Sequence, residues 1–169
     1  MSEHTFLFAD LSGFTALTEA HGDQHAADLA ASFFQDARSL LAAHRAQEVK
    51  TLGDAIMIRC DAPQSAIGLA LRLVREVGAR HGFPSVRVGM HTGPAVERDG
   101  DWFGQSVNLA ARVSGAASGG EVLVSGATAT AAGVPEGGSI GAIHSHRNVF
   151  LRPRGRRPAT QLRRAGRAV

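Results

Sequence analysis

The chain has 169 residues, of which 44% are hydrophobic and 20% are charged, and its formal net charge is +3. This length suits one domain with a buried core. No apolar run reaches the roughly 18–20 residues that a transmembrane helix needs. We therefore expect residues 1–169 to form a single domain that does not enter a membrane. The N-terminus lacks a signal-peptide pattern. The single cysteine, Cys60, excludes an internal disulfide, so a cytoplasmic location is expected.

The charge is unevenly distributed along the chain. Residues 137–169 carry eight arginines and no acidic residue, whereas all 15 acidic residues lie in residues 1–136. The arginine-rich segment 144–169 is compatible with binding of nucleic acid, acidic lipid or phosphate. It is also compatible with a solvated edge strand that its charge protects. Because Phe150 is the only aromatic residue among these arginines, we favour the second interpretation and do not expect a nucleic-acid partner.

In chain order, the sequence predicts a strand at 5–10, a glycine-containing turn at 11–15, helices at 14–20 and 24–45, and a hairpin at 48–60. A helix at 63–80, a strand at 86–91, a turn at Asp99-Gly100, a helix at 104–117 and a strand at 121–125 follow. Three more strands are predicted near 139–143, 148–151 and 160–163. Helical spacing of apolar residues and turn dipeptides support these assignments. The order predicts an α+β fold of the ferredoxin-like (split βαβ) kind, a mainly antiparallel sheet backed by helices, with extra C-terminal elements.

Two carboxylates, Asp10 and Asp54, are each placed where a predicted strand meets a turn. Taken singly, each is more simply explained as a helix cap or a turn residue. If their strands are neighbours, however, the pair can hold hard divalent cations that also bind substrate phosphates. The segment from Asp10 to Thr15 follows a strand and precedes a helix. Its Gly13 and backbone N–H groups suit a triphosphate at the helix N-terminus.

Three basic or amide side chains are also distinctive. Asn108 and Arg112 are four residues apart on a predicted helix and therefore share one face. Without other context they would be an ordinary surface pair. Lys50 is the only lysine beside 17 arginines. Because ammonium and guanidinium groups are not interchangeable, this position is a candidate for a specific role. Cys60 and His91 are expected to be structural.

Residues 5–125 resemble the class III adenylate and guanylate cyclases, in particular the bacterial stand-alone type. FADLSGFTALT resembles the first metal-binding segment of that family, and VKTLGDAIM resembles its substrate-reading lysine followed by the second metal aspartate. VRVGMHTG and GDWFGQSVNLAARV continue the similarity in the same order and spacing. The resemblance implies an adenylate cyclase that converts ATP to 3′,5′-cyclic AMP and pyrophosphate by in-line attack of the ribose 3′-hydroxyl on the α-phosphate.

The resemblance also implies where the charged parts of the substrate bind. Asp10, Asp54 and the carbonyl of Leu11 would hold two Mg²⁺ or Mn²⁺ ions per active site. The phosphates would lie against the turn formed by Ser12, Gly13, Phe14 and Thr15. The lysine that family members use on the triphosphate has no clear match, so Arg152 is the candidate for that role.

The matching positions for base recognition are Lys50 and Asp101. A lysine donor and an aspartate acceptor complement adenine, whereas guanine would leave each group unpaired at roughly 1–3 kcal/mol per group. Asp101 is preferred over Asp99 because it stands seven residues before Asn108. The simpler alternative is a Lys50–Asp54 pair across the hairpin.

The resemblance further implies a homodimer with two shared active sites. In each site one protomer supplies the metal ligands and the phosphate turn, and its partner supplies Lys50, Asp101, Asn108 and Arg112. In the family the positions of Asn108 and Arg112 orient the ribose and stabilise charge on the α-phosphate. Two alternatives remain open. One is a guanylate or relaxed-purine cyclase, and the other is a catalytically silent cyclase-like domain that binds nucleotide or a partner.

Overall fold

The computed structural model describes residues 3–134 and the backbone of Asn148–Leu151. The strands are β1 Glu3–Leu11, β2 Ala46–Leu52, β3 Ala55–Cys60, β4 Val86–Pro94, β5 Val96–Arg98, β6 Asp101–Phe103, β7 Val122–Ser125 and β8 Asn148–Leu151. The helices are α1 Phe14–His21, α2 Asp23–Leu41, α3 Pro63–Arg72, α4 Gln105–Ala116 and α5 Gly126–Ala132.

Six strands form one sheet in the order β2-β3-β1-β4-β7-β8. Only the β4–β7 pair is parallel, and the other neighbours run antiparallel. The first four strands interleave two split βαβ units, which confirms the predicted α+β fold and mainly antiparallel sheet. Strands β5 and β6 form a separate hairpin around the predicted turn. In that turn Asp99 has a φ of 53° and Gly100 a φ of 79°.

The central strand β1 is apolar on both faces because the sheet is covered on both sides. Leu7, Ala9 and Leu11 belong to the larger core cluster, which is shared with α2 and α3. Phe6 and Phe8 point to the opposite face and belong to a smaller cluster with α4 and the β5–β6 hairpin. We call these the α2/α3 face and the α4 face of the sheet.

Helix α4 lies directly against the sheet at Gly89 of β4. A Cβ atom at Gly89 would come within 2.0 Å of the backbone nitrogen of Ser114. A glycine is therefore required for this close approach. This contact sets the distance between α4 and the sheet, and therefore the position of the residues on the outer side of the helix.

Several predicted boundaries differ from the structure. The helix predicted at 24–45 ends at Leu41 and continues only as a 3₁₀ turn, Ala42–His44, before Arg45 adopts a φ of 48°. The helix predicted at 63–80 is α-helical to Arg72 and then widens into a π-helical turn, Leu73–Val77.

The C-terminal part contains one helix that the sequence did not indicate. Helix α5 has no apolar period, and it begins where the Ser125 hydroxyl accepts the backbone N–H of Thr128. The strand predicted at 148–151 is confirmed as β8, whereas those predicted at 139–143 and 160–163 lie outside the described residues. None of the helices within 3–134 has the length and apolar character to span a bilayer.

Candidate active site

The two candidate metal carboxylates lie side by side at one end of the sheet. The β1–β3 register pairs Asp10 with Ala55, and Asp54 is the residue immediately before Ala55 in the β2–β3 turn. Burial raises the pKa of Asp54, and the negative charge of Asp10 raises it further. Helix capping does not account for Asp10, because Gly13, with a φ of 77°, occupies the N-cap of α1 and that cap has no side-chain hydrogen bond.

Arg87 is part of this carboxylate end, although its place in the sequence did not indicate a role. It is the cross-strand partner of Asp10 on β4. Its Nε donates to one oxygen of Asp10 at 2.5 Å and its Nη2 donates to the other at 2.9 Å. The hydrogen bond to Asp10 raises the pKa of Arg87, so its positive charge is permanent. The available signal was its place in VRVGMHTG, a strand that pairs with β1.

The donor set at this end fits a hard divalent cation. Each oxygen of Asp10 accepts one N–H from Arg87, which leaves further lone pairs on the same carboxylate. Burial is the main cause of the raised pKa of Asp54, the charge of Asp10 adds to it, and the charge of Arg87 opposes it. Within residues 3–134, no group of three or more His, Cys, Asp or Glu side chains converges. The protein ligands on offer are therefore two carboxylates and nearby backbone carbonyls, which suit Mg²⁺ or Mn²⁺.

The predicted phosphate turn is only partly available. The backbone N–H of Ser12 donates to the carbonyl of Ser85 at 2.7 Å, so this N–H holds the fold together and is not part of the expected cradle. Gly13, Phe14 and Thr15 stand at the N-terminal end of α1. N–H groups at this position have no carbonyl partner in a preceding turn. An anion-binding role for the turn therefore depends on these three residues and on the Ser12 hydroxyl.

The structure brings Lys50 and Asp101 together, 51 residues apart in sequence. The Lys50 Nζ lies 2.5 Å from Oδ2 of Asp101, and the backbone N–H of Trp102 donates to Oδ1 at 2.8 Å. The hydrogen bond from Lys50 lowers the pKa of Asp101. The simpler alternative of a Lys50–Asp54 pair is wrong, because the ammonium group is paired with Asp101.

A β-bulge at Val49 decides which face Lys50 occupies. Glu48 is opposite Ile58 and Lys50 is opposite Met57, so Val49 is an extra residue in β2. Cross-strand partners share a face. Glu48 therefore lies on the α2/α3 face, and Lys50 lies on the α4 face beside the β5–β6 hairpin. Strict alternation would have put both on the same face.

Asn108 and Arg112 are both exposed on the outer side of α4, one turn apart, as their spacing predicts. Ala110, Val113 and Ser114 are buried on the other side of this helix. Arg152, the candidate for the triphosphate, lies outside the described residues.

Two hairpins near the site expose large apolar side chains. Leu52 at the end of β2 is 49% exposed, and on the β5–β6 hairpin Val96 and Phe103 are 50% and 53% exposed. Val96 and Phe103 are cross-strand partners, and Leu52 lies on the hairpin that carries Lys50 and Asp54; we call these three residues the apolar rim.

Known proteins share much of this sequence. Residues 1–148 match the family described as the adenylate and guanylate cyclase catalytic domain. A pH-sensitive adenylate cyclase of Mycobacterium tuberculosis is 42% identical over 129 residues, which cover 76% of this chain and 32% of that protein. An adenylate cyclase of Streptomyces griseus is 41% identical over 122 residues, which cover 72% and 31%. The chain thus spans about a third of the length of these relatives.

The fold also matches solved structures. The guanylyl cyclase domain of the RhoGC fusion protein from the aquatic fungus Blastocladiella emersonii superposes with a TM-score of 0.78. The match covers 88% of this chain and 93% of that domain at 18% sequence identity. At this level of identity the likeness establishes the fold alone.

Proposed function

This chain belongs to the adenylate and guanylate cyclase catalytic domain family, and from that premise we propose that it converts ATP to 3′,5′-cyclic AMP and pyrophosphate. The observation that carries the choice of ATP is the adjacency of Lys50 and Asp101, a donor and an acceptor 2.5 Å apart on the α4 face. Residues 1–169 act in this proposal as one catalytic domain.

Lys50 and Asp101 can give up the hydrogen bond between them and form hydrogen bonds with the edge of a purine instead. Adenine offers N1 as an acceptor to Lys50 and its exocyclic amine as a donor to Asp101. The Lys50 side chain is 37% exposed and that of Asp101 is 30% exposed. An ion pair so open to water is only weakly stabilising, so separating the two groups costs little. Guanine would present the opposite polarity and leave both groups unpaired.

At the carboxylate end, Asp10, Asp54 and the carbonyl of Leu11 would hold two Mg²⁺ or Mn²⁺ ions. When bound, these cations supply activation of the ribose 3′-hydroxyl and neutralisation of the leaving pyrophosphate. The chain itself contributes Arg87, whose planar guanidinium holds Asp10 in one orientation and suits phosphate oxygens. Gly13, Phe14 and Thr15 present the start of α1 to the phosphates.

A second copy of the chain completes each site: one protomer would supply the carboxylate end, and its partner would supply the Lys50–Asp101 pair together with Asn108 and Arg112. Asn108 and Arg112 are exposed on the outer side of α4, where a partner can reach them. From that position Asn108 would orient the ribose, and Arg112 would stabilise charge on the α-phosphate. The apolar rim of Leu52, Val96 and Phe103 supports an interface here, because exposed apolar clusters mark contact surfaces. Twofold symmetry then gives two shared sites per homodimer.

The deciding experiment is incubation of the protein with ATP or GTP and with Mg²⁺ or Mn²⁺, followed by identification of the products by mass spectrometry. We expect cyclic AMP and pyrophosphate, with ATP preferred over GTP. Cyclic GMP as the main product would establish the guanylate alternative instead. Absence of any cyclic product, with retained binding of ATP, would establish a catalytically silent nucleotide-binding domain.

A further inference from the structure

Trp102 joins the β5–β6 hairpin to the main sheet. Its indole ring lies 4.8 Å from the ring of His4 and 5.5 Å from the ring of Phe6, both on β1. The guanidinium of Arg59, on β3, lies 5.3 Å from the centre of the indole. The hairpin itself has only three residues in each strand. A two-stranded hairpin of this size is marginal alone, so contact with the sheet decides where it lies.

Arg59 is held rigidly enough to serve as a platform for that ring. Its side chain is only 12% exposed. One nitrogen lies 3.0 Å from His4 and 2.9 Å from Asp61, and a second donates to Gln47 at 3.0 Å. Residues from β1 and β2, and the residue that follows β3, thus orient one guanidinium plane. A guanidinium over an aromatic ring is attracted to it, and a lysine would not reproduce the several hydrogen bonds that hold this planar group in place.

The position of the Trp102 ring affects the carboxylate of the preceding residue, Asp101. The backbone N–H of Trp102 donates to Oδ1 of Asp101, which leaves Oδ2 turned toward Lys50. Moving the indole would therefore move the acceptor of the base-reading pair. We propose that Arg59 and Trp102 form a clamp of positioning residues that sets the purine specificity of the site. The inference rests on the proposed function, which gives Lys50 and Asp101 the role of reading the base.

A first test needs no turnover. Trp102 is the only tryptophan and the chain has no tyrosine, so intrinsic emission reports this side chain directly. The wild-type protein and Arg59→Met would be titrated with 3′-deoxy-ATP, which lacks the hydroxyl that cyclises, and Mg²⁺. We expect Arg59→Met to shift the emission of the free protein and to weaken analogue binding about tenfold. Unchanged emission and unchanged affinity would overturn the clamp.

A second test uses specificity. Arg59→Met and Trp102→Ala should lower the ATP-over-GTP ratio of kcat/KM roughly tenfold, mainly through KM for ATP. Trp102→Phe should keep most of the ratio because the ring stack is retained. Arg59→Lys should not, because its ammonium cannot reproduce the planar fork. If Trp102→Ala does not fold, the Arg59 variants still decide the question.

The matched control is Arg38→Met. Arg38 on α2 holds the same strand β2 through a bidentate pair with Glu48 at 2.6 and 2.8 Å, but on the α2/α3 face. Its loss should affect stability and leave the ATP-over-GTP ratio unchanged. Equal changes of the ratio in Arg38→Met and Arg59→Met would show a merely structural role and overturn the inference.

The two proposals fail in different ways. A wild-type protein that makes no cyclic nucleotide from either purine would refute the proposed function, while the analogue titration would still decide the clamp. A wild-type protein that prefers ATP and loses that preference in Lys50→Glu but not in Arg59→Met would refute the clamp alone.

Discussion

Asp10 and Asp101 are each joined to a cation of the same chain, the first by two hydrogen bonds from Arg87 and the second by one from Lys50. The Asp10 side chain is 16% exposed, whereas that of Asp101 is 30% exposed. The Arg87 pair spans two paired strands inside the sheet. The Lys50 pair spans an edge strand and a short hairpin.

The two ion pairs therefore suit different tasks in the proposed reaction. A planar guanidinium with two parallel hydrogen bonds holds a carboxylate in one orientation, as a cation site requires. An ammonium group on a flexible stem is a point donor that can turn from a carboxylate to a base. Under the proposed function, the only lysine of this chain therefore lies where the hydrogen-bonding partner would change from Asp101 to a base.

The largest effect is expected at the rigid end. Asp10→Ala and Asp54→Ala should each lower turnover at least about a thousandfold, because loss of a cation ligand costs several kcal/mol of barrier. Cyclic AMP formation at saturating Mg²⁺ or Mn²⁺ measures this, with circular dichroism to verify folding. Asp28→Ala, an exposed carboxylate on α2, is the control and should behave as wild type. Near-normal activity in Asp10→Ala or Asp54→Ala would show that the substituted carboxylate does not take part in the reaction.

A mixing experiment tests whether Asp54 and Asn108 of one active site come from the same protomer. Asp54→Ala and Asn108→Ala should each be inactive alone. In a mixed dimer one site loses both groups and the other is complete. Free exchange makes about half of the dimers mixed, so roughly a quarter of wild-type activity should return under twofold symmetry. Each parent protein should have less residual activity than this quarter of the wild-type value. If subunit exchange is demonstrated and activity still does not recover, both residues act within one protomer.

The adjustable end should respond with altered specificity. Lys50→Glu should reduce kcat/KM for ATP by roughly 10- to 100-fold, since one unpaired group costs about 1–3 kcal/mol. Adding Asp101→Ser should shift the remaining activity toward GTP. Asp99→Asn, in the adjacent turn, removes a charge and tolerates the positive φ of this position, so it is the matched control and should leave the ratio unchanged. A Lys50→Glu protein that keeps its ATP rate and its ratio would exclude Lys50 from base recognition.

Exchanging the type of cation at the rigid end sharpens the comparison. Arg87→Lys keeps the charge beside Asp10 but loses the two-pronged contact, so we expect a loss of about 1 kcal/mol in the free energy of unfolding. Urea denaturation measures this. Arg75→Lys, on an exposed side chain of the π-helical turn, should change the stability by much less. Equal stability of the wild-type and Arg87→Lys proteins would mean that the fork is not needed to hold Asp10.

For treatment of the folded protein with a thiol reagent we expect no effect on activity. Cys60 is fully buried on the α2/α3 face, and burial raises the pKa of its thiol to about 12. At pH 8 the folded protein therefore keeps this thiol protonated, and a maleimide should neither label it nor change the activity. In urea the thiol regains its ordinary acidity and should be labelled. Rapid labelling of the folded protein with loss of activity would show that this face opens in solution.

Short-range patterns in the sequence were sufficient for much of the fold. The apolar run of β1, the Asp99-Gly100 turn and the helical spacing around Asn108 and Arg112 depend on neighbours within a few residues, and the structure confirms each of them. The ends of α2 and α3 were less predictable, because a 3₁₀ or π turn depends on packing against other elements. Helix α5 had no period from which to predict it.

The candidate site was predictable to the extent that its residues lie in contiguous motifs. Asp10, Asp54 and Lys50 stand out by residue type and by their place at turns, and their roles remain predictions until tested. Arg87 did not stand out, because, apart from its place in the motif VRVGMHTG, an arginine in a strand has no distinctive local signal. Its significance comes from the register that sets it opposite Asp10.

By itself, the sequence determined which residues carry acid, base and hydrogen-bonding groups, and the order of the elements that hold them. Only the tertiary structure decided which groups meet. Strand register places Arg87 on Asp10, a bulge at Val49 turns Lys50 to the α4 face, and the Arg59–Trp102 contact joins the hairpin that carries Asp101 to the sheet. The physical reason is that side-chain periodicity is a local property, whereas pairing register and the docking of a hairpin depend on the packing of segments distant in sequence.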